Sequence, residues 1–150
     1  MGNEPRLPRV VIDTNLFVSG AISPRGLPHQ LLQAWRTGAF TLLISAEQRA
    51  EVQEVLSRPE IARRYNLSEE AREHLLFLID TVALQATLRQ RLPIHVRDPK
   101  DDHLLAAALG GKADYLVTGD ADLLTLDRDP KLPHLRILSV RSFLDLLSAS

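Results

Sequence analysis

Arg9-Val10-Val11-Ile12-Asp13-Thr14-Asn15 is a short apolar run that stops at a carboxylate and two small hydrogen-bonding residues. Consecutive β-branched residues with no polar alternation suit a strand covered on both faces, the condition of a central strand in a parallel sheet. Such sheets place their chemistry just past the carboxyl ends of the strands. The run therefore reads as a buried strand that delivers Asp13. Far down the chain Tyr115-Leu116-Val117 repeats the arrangement, running into Thr118-Gly119-Asp120-Ala121-Asp122.

Between and beyond these two runs the pattern alternates. A helix is expected over 15–22, ended by Ser23-Pro24-Arg25-Gly26, and another over 27–37, with Leu31, Leu32 and Trp35 on one face and Gly38 closing it. Phe40 to Ile44 forms a second apolar strand. Ser45-Ala46-Glu47-Gln48 has the capping-box pattern and predicts a helix to about Arg58, where Pro59 interferes. A short helical piece near 61–65 precedes Ser68, an N-cap for a helix whose stripe is Leu75, Leu76, Leu78, Ile79, Val82 and Ala83; part of so wide a stripe could face a second copy of the chain. A brief strand is expected within 81–88, a loop at 89–93, and a helix opened by Asp98-Pro99 that Gly110-Gly111 ends. Strand 115–117, a short helix at 121–126, strand 135–138 and helix 140–147 complete the chain. This alternation implies an α/β fold around a parallel sheet covered on both faces.

Composition sets bounds and then falls silent. With 150 residues, 45% apolar and 25% charged, one globular domain over 1–150 is expected, residues 1–8 forming a flexible amino-terminal tail. The absence of cysteine removes disulfides, thiolate nucleophiles and thiolate metal sites. No apolar run approaches a membrane span and Met1 to Pro5 lacks a signal-peptide core, so a cytoplasmic protein without membrane partners is expected. A net charge of −1 offers no global field for a polyanion, so nucleic acid would have to meet a local patch.

The acids sort by geometry. On the helix opened by Asp98, Asp101 lies three, four and seven residues before Leu104, Leu105 and Ala108, and so on the apolar face, with Asp102 at its edge and His103 on the far side. Asp98 itself is a cap. On the capping-box helix Glu51 projects closest to the face made by Val52, Val55 and Leu56; Glu47 and Glu54 lie further towards water, and a solvated role for Glu51 stays open. Asp13 and Asp120 are also natural N-caps for the segments they lead into. Gathered together, the four carboxylates could not all ionise without a cation. An oxygen-only set suits Mg²⁺ or Mn²⁺ and metal-assisted phosphoryl transfer, with Thr14, Asn15 and Thr118 as donors that orient the carboxylates or as ordinary turn residues. The five histidines, His29, His74, His95, His103 and His134, are scattered without ligand spacing and are expected at the surface.

The order and spacing of these motifs resemble the PIN-domain proteins, and more narrowly the branch described as toxins of bacterial toxin–antitoxin systems. The resemblance runs through Val10 to Asn15, Leu43-Ile44-Ser45, Glu51 to Pro59, Arg97 to Asp102, and Tyr115 to Leu124. It implies a three-layer α/β/α fold with a central, mainly parallel sheet, and a Mg²⁺- or Mn²⁺-dependent endoribonuclease. It places the family's catalytic, metal-binding acids on Asp13, Glu51, Asp101 and Asp120, with Asp122 as an auxiliary acid and Thr118 as a supporting hydroxyl. It also implies a cognate antitoxin and a homodimer or higher homo-oligomer. RNA would approach along a basic rim, for which Arg25, Arg97, Lys100 and Lys112 lie near the strand ends. Two other readings compete. One is a non-catalytic RNA-binding or scaffold protein of this fold; the other is an aspartate phosphoacceptor domain, against which Asp13 has no acidic neighbour.

Overall fold

The computed structural model of the chain describes residues 6–149. In chain order its elements are β1 (Arg9–Ile12), α1 (Thr14–Ile22), α2 (Leu27–Arg36), β2 (Thr41–Ile44), α3 (Ala46–Leu56), α4 (Pro59–Arg64), α5 (Glu69–Val82), β3 (Leu84–Gln85), α6 (Pro99–Gly110), β4 (Tyr115–Val117), α7 (Ala121–Leu124), β5 (Arg136–Leu138) and α8 (Val140–Ala149). The strands form one sheet in the order β3-β2-β1-β4-β5, and every neighbouring pair is parallel. β1 is central, and Val10, Val11 and Ile12 are fully buried.

Side-chain alternation along β1 splits the core in two. Val10 and Ile12 join a cluster with Phe17, Leu32, Val52, Ile79 and Phe143, while Val11 joins Leu43, Leu105, Leu116 and Ile137 on the other face. Helices therefore cover both faces, the three-layer α/β/α arrangement. Burying each of these aliphatic side chains contributes about 1.5–3 kcal/mol, so a charged residue at Val11 would abolish the layer it anchors.

Chain order reverses at β1: β2 and β3 lie to one side, β4 and β5 to the other. Such a switch point opens a crevice outside the carboxyl ends of the two diverging strands, β1 and β4. Asp13 and Thr118 are the first residues past those ends, and the Asp13 N–H donates to the Val117 carbonyl at 2.9 Å.

Several local readings need adjustment. Of the expected flexible tail, residues 1–5 lie outside the described residues; Arg6 pairs with Asp114 at 3.2 Å, and the Pro8 carbonyl accepts from the Thr41 N–H. In the α5 stripe Leu75, Leu76 and Ile79 are buried, but Val82 is 59% exposed, as is Phe77 at 62%. Pro59 does not merely stop α3, which ends at Leu56; it starts α4. Gly110 and Gly111 close α6 without a left-handed cap, and the residue with positive φ is Lys112. Among the described residues no helix is long and apolar enough to cross a membrane.

Candidate functional site

Asp13 ends β1 and caps α1, its Oδ1 accepting from the Asn15 N–H at 3.2 Å. Its other oxygen, Oδ2, accepts from the Thr118 hydroxyl at 2.8 Å. Thr118 follows β4, is wholly buried, and accepts in turn from the Asp120 N–H at 3.0 Å. Asp120 caps α7 by accepting from the Asp122 N–H at 3.0 Å. Both strand-end acids are thus N-caps, as the local pattern allows, and one hydroxyl ties them together across two strands.

Asp101 arrives from α6. Asp98 caps that helix, accepting from the Lys100 N–H at 2.9 Å, and Pro99 sets its first turn. Asp101 is then carried inward, 5% exposed, while Asp102 stays exposed, which settles the choice between these neighbours as the inward acid. Burial, then hydrogen-bonding proximity to Asp120 and the charges of Asp120, Asp98 and Asp13, push its carboxyl up to about 6. A buried acid close to a second one gives up its proton less readily than a free carboxyl, and a cation would offset that cost.

Glu51 comes from α3 and lines the same cleft as Asp13, anchored through Thr14. Its Oε2 accepts from the Thr14 hydroxyl at 2.9 Å, while the residue as a whole is exposed. The Thr14 hydroxyl accepts in turn from Gln48 Nε2 at 3.3 Å, and the same nitrogen donates to the Ile12 carbonyl at 2.6 Å. Gln48 is 4% exposed. The sequence suggested a capping box, and half of it forms: the Gln48 N–H donates to Ser45 Oγ at 3.0 Å. The Gln48 side chain goes instead to β1, so it is a brace for the site that local pattern reading missed.

A cleft of about 370 Å³ lies beside Asp13 between α3 and α6, walled by Glu47, Glu51, Arg58, Lys100 and His103 among others. His103 keeps part of the surface position expected of it, its side chain 41% exposed, but one ring nitrogen turns inward. Its Nε2 is buried without a hydrogen-bond partner, 3.9 Å from Glu47 Oε2. Its place four residues before Ala107, which also lines the cleft, is the sequence signal that was available. Asp101 and Asp120 are not among the cleft's walls.

The other candidates contribute less directly. Asp122 is exposed and touches the group through its backbone N–H alone, and Asn15 likewise supplies its N–H to Asp13 while its residue lines the cleft. Of the expected rim, Lys100 lines the cleft; Arg25, Arg97 and Lys112 are exposed elsewhere. As the side chains stand, no group of three or more His, Asp or Glu among the described residues could hold a metal ion. The donor chemistry nonetheless fits a hard divalent cation: the set is all oxygen, and the raised Asp101 carboxyl, buried and within the charges of Asp120, Asp98 and Asp13, marks negative charge that such an ion would offset.

Comparison with known proteins adds two findings. A family model described as PIN domain matches residues 9–122. Over 142 residues the chain is also 26% identical to Uncharacterized protein MJ1680 of Methanocaldococcus jannaschii, covering 91% of this chain and 90% of that one.

Proposed function

The chain belongs to the PIN-domain family, a nuclease-type fold, and on that premise we propose that it is a Mg²⁺- or Mn²⁺-dependent endoribonuclease hydrolysing RNA phosphodiester bonds. One observation carries the reading: Asp101, buried on α6, is held against Asp120 and within the field of Asp13 at the switch point of the sheet.

Asp13, Asp101 and Asp120 would hold the ion, with Glu51 and Asp122 at its margin. When bound, such an ion lowers the pKa of a water and offsets charge developing on the phosphoryl oxygens. The chain's own residues do the rest. Thr118 fixes the Asp13 carboxylate, Thr14 and Gln48 fix Glu51, and Lys100 offers a cation on the cleft wall for a substrate phosphate.

The test is cleavage of a mixed RNA pool by purified protein with Mn²⁺, with EDTA, and by Asp13→Asn and Asp101→Asn variants shown to remain folded. Metal-dependent cutting that both variants lose supports the assignment. RNA binding with no metal-dependent cutting favours the scaffold reading. The narrower role, a cytoplasmic toxin with a cognate antitoxin and a homo-oligomeric assembly, comes from the motif resemblance; its test is growth arrest on induction, relieved by a neighbouring gene product that copurifies.

A further inference from the structure

We propose that the segment joining β3 to α6 is a preformed track for the phosphates of single-stranded RNA, leading to the acid group. This rests on the nuclease reading and extends it to a surface outside the cleft. Along the segment Leu88, Leu92, Ile94 and Val96 pack against the core on the α6 face. Arg89, Arg91, His95 and Arg97 between them are exposed. The backbone is pinned: the Ala86 N–H donates to the Ile44 carbonyl at 2.9 Å and the Arg89 N–H to the Ala106 carbonyl at 3.0 Å. Between Asp80 and Asp98 the chain has three arginines and one histidine and no acid, in a protein whose net charge is −1.

Ion pairs occupy Arg6, Arg49, Arg58, Arg72, His103 and Arg136 among the described residues; Arg89, Arg91 and Arg97 are in none of them. Three arginines on an anchored backbone are charges placed in advance and left unneutralised, which lowers the ordering cost of meeting a polyanion. Position favours RNA as the occupant. Arg97 precedes the Asp98 cap, and Asp101 lies one turn further. Arg89 is pinned at Ala106, five residues or about 7.5 Å along the helix axis from Asp101. Chemistry points the same way. Among the described residues the exposed large apolar ones are Leu7, Tyr65, Phe77, Val82 and Leu84, none of them within the segment 86–97, whereas a protein partner would be expected to find apolar or aromatic anchors there.

The test measures binding of a fluorescein-labelled oligouridine to the full chain in EDTA across a salt series, for wild type, the Arg89→Ala/Arg91→Ala/Arg97→Ala triple variant and the corresponding Arg→Lys triple variant. The alanine variant is expected to bind about tenfold or more weakly at moderate salt, with the log–log salt slope reduced by about 2, and the lysine variant to keep the wild-type slope. With Mn²⁺ the alanine variant should raise KM on long RNA and leave kcat unchanged. If wild type cuts RNA and the alanine variant binds it with unchanged affinity and slope, the track is wrong and the nuclease reading stands. If wild type binds polyglutamate through these arginines but not RNA, the surface serves an acidic protein and the track is wrong. If wild type neither binds nor cuts RNA, the nuclease reading fails first and the track with it.

Discussion

The buried hydroxyl of Thr118 donates to Asp13 Oδ2 at 2.8 Å, joining the ends of β4 and β1, the two strands that diverge at the switch point. One hydroxyl thus sets the orientation of a carboxylate from the neighbouring strand and also receives the Asp120 N–H. Thr118→Val keeps the shape and removes both functions. It is expected to cost about 1–3 kcal/mol in stability and about 10–100-fold in metal affinity or metal-dependent RNA cleavage. Thr118→Ser should recover most of the activity, and thermal melts beside cleavage rates separate the two effects. A valine variant with full activity would show that the bond does not position Asp13.

Asp101 makes the metal-free protein sensitive to pH in an unusual direction. Its carboxyl is raised from 3.8 to about 6, so the folded chain keeps a proton that the unfolded chain releases. The resulting stabilisation is present in full below about pH 4 and lost as pH rises through about 6, in total about 3 kcal/mol. Asp127 runs the other way: the hydrogen bond from Arg136 holds its carboxyl below 3.8, so its contribution is lost as pH falls past that value. Melting in EDTA across this range should show the Asp101 loss in wild type and not in Asp101→Asn, which should melt no lower than wild type at neutral pH. A wild-type profile with no decline between about pH 4 and 7 contradicts the assignment.

A divalent ion should reverse that penalty. Saturating Mg²⁺ or Mn²⁺ is expected to raise the Tm of wild type more at pH 7.5 than at pH 5, since the ion competes with the proton on Asp101, and to do little for Asp101→Asn. An equal rise in both proteins would place the ion elsewhere.

Gln48 braces the site from beneath. Gln48→Ala removes its bonds to the Ile12 carbonyl and the Thr14 hydroxyl and should cost about 1–3 kcal/mol, a drop of several degrees in Tm. Gln48→Glu should cost more, because it sets a carboxylate against that buried carbonyl. A glutamate variant as stable as wild type would count against the brace.

Gly110 is the last residue of α6, and a Cβ there would overlap the Thr87 carbonyl oxygen and stand 2.9 Å from Arg89 N. Gly110→Ala must push the segment at 87–89 away from the helix, and is expected to lower stability by about 1–3 kcal/mol despite alanine's better helix propensity. Denaturant unfolding measures this directly; a stabilised variant would mean that the segment moves aside freely.

What could be read from the chain was local. Val10 to Ile12, the Asp98-Pro99 start of α6, the Ser45 and Ser68 caps and the inward face of Asp101 each depend on residues within about four positions of one another, and a linear pattern records such neighbours. Those patterns were enough for the alternating elements, the parallel sheet and the acids at its strand ends. Tertiary structure decided the rest. Thr118 meets Asp13 across 105 positions and Gln48 meets Ile12 across 36, and no local pattern separates either residue from an ordinary turn threonine or a capping-box glutamine. The inward turn of His103 Nε2 towards Glu47 depends on α3 standing opposite it, and the arginines between β3 and α6 form a strip because the leucines, isoleucine and valine among them find a core to enter. The difference is physical: capping and periodicity are properties of a single element, whereas a buried hydroxyl's partner, or the face an irregular segment turns to solvent, exists only once the layers have packed.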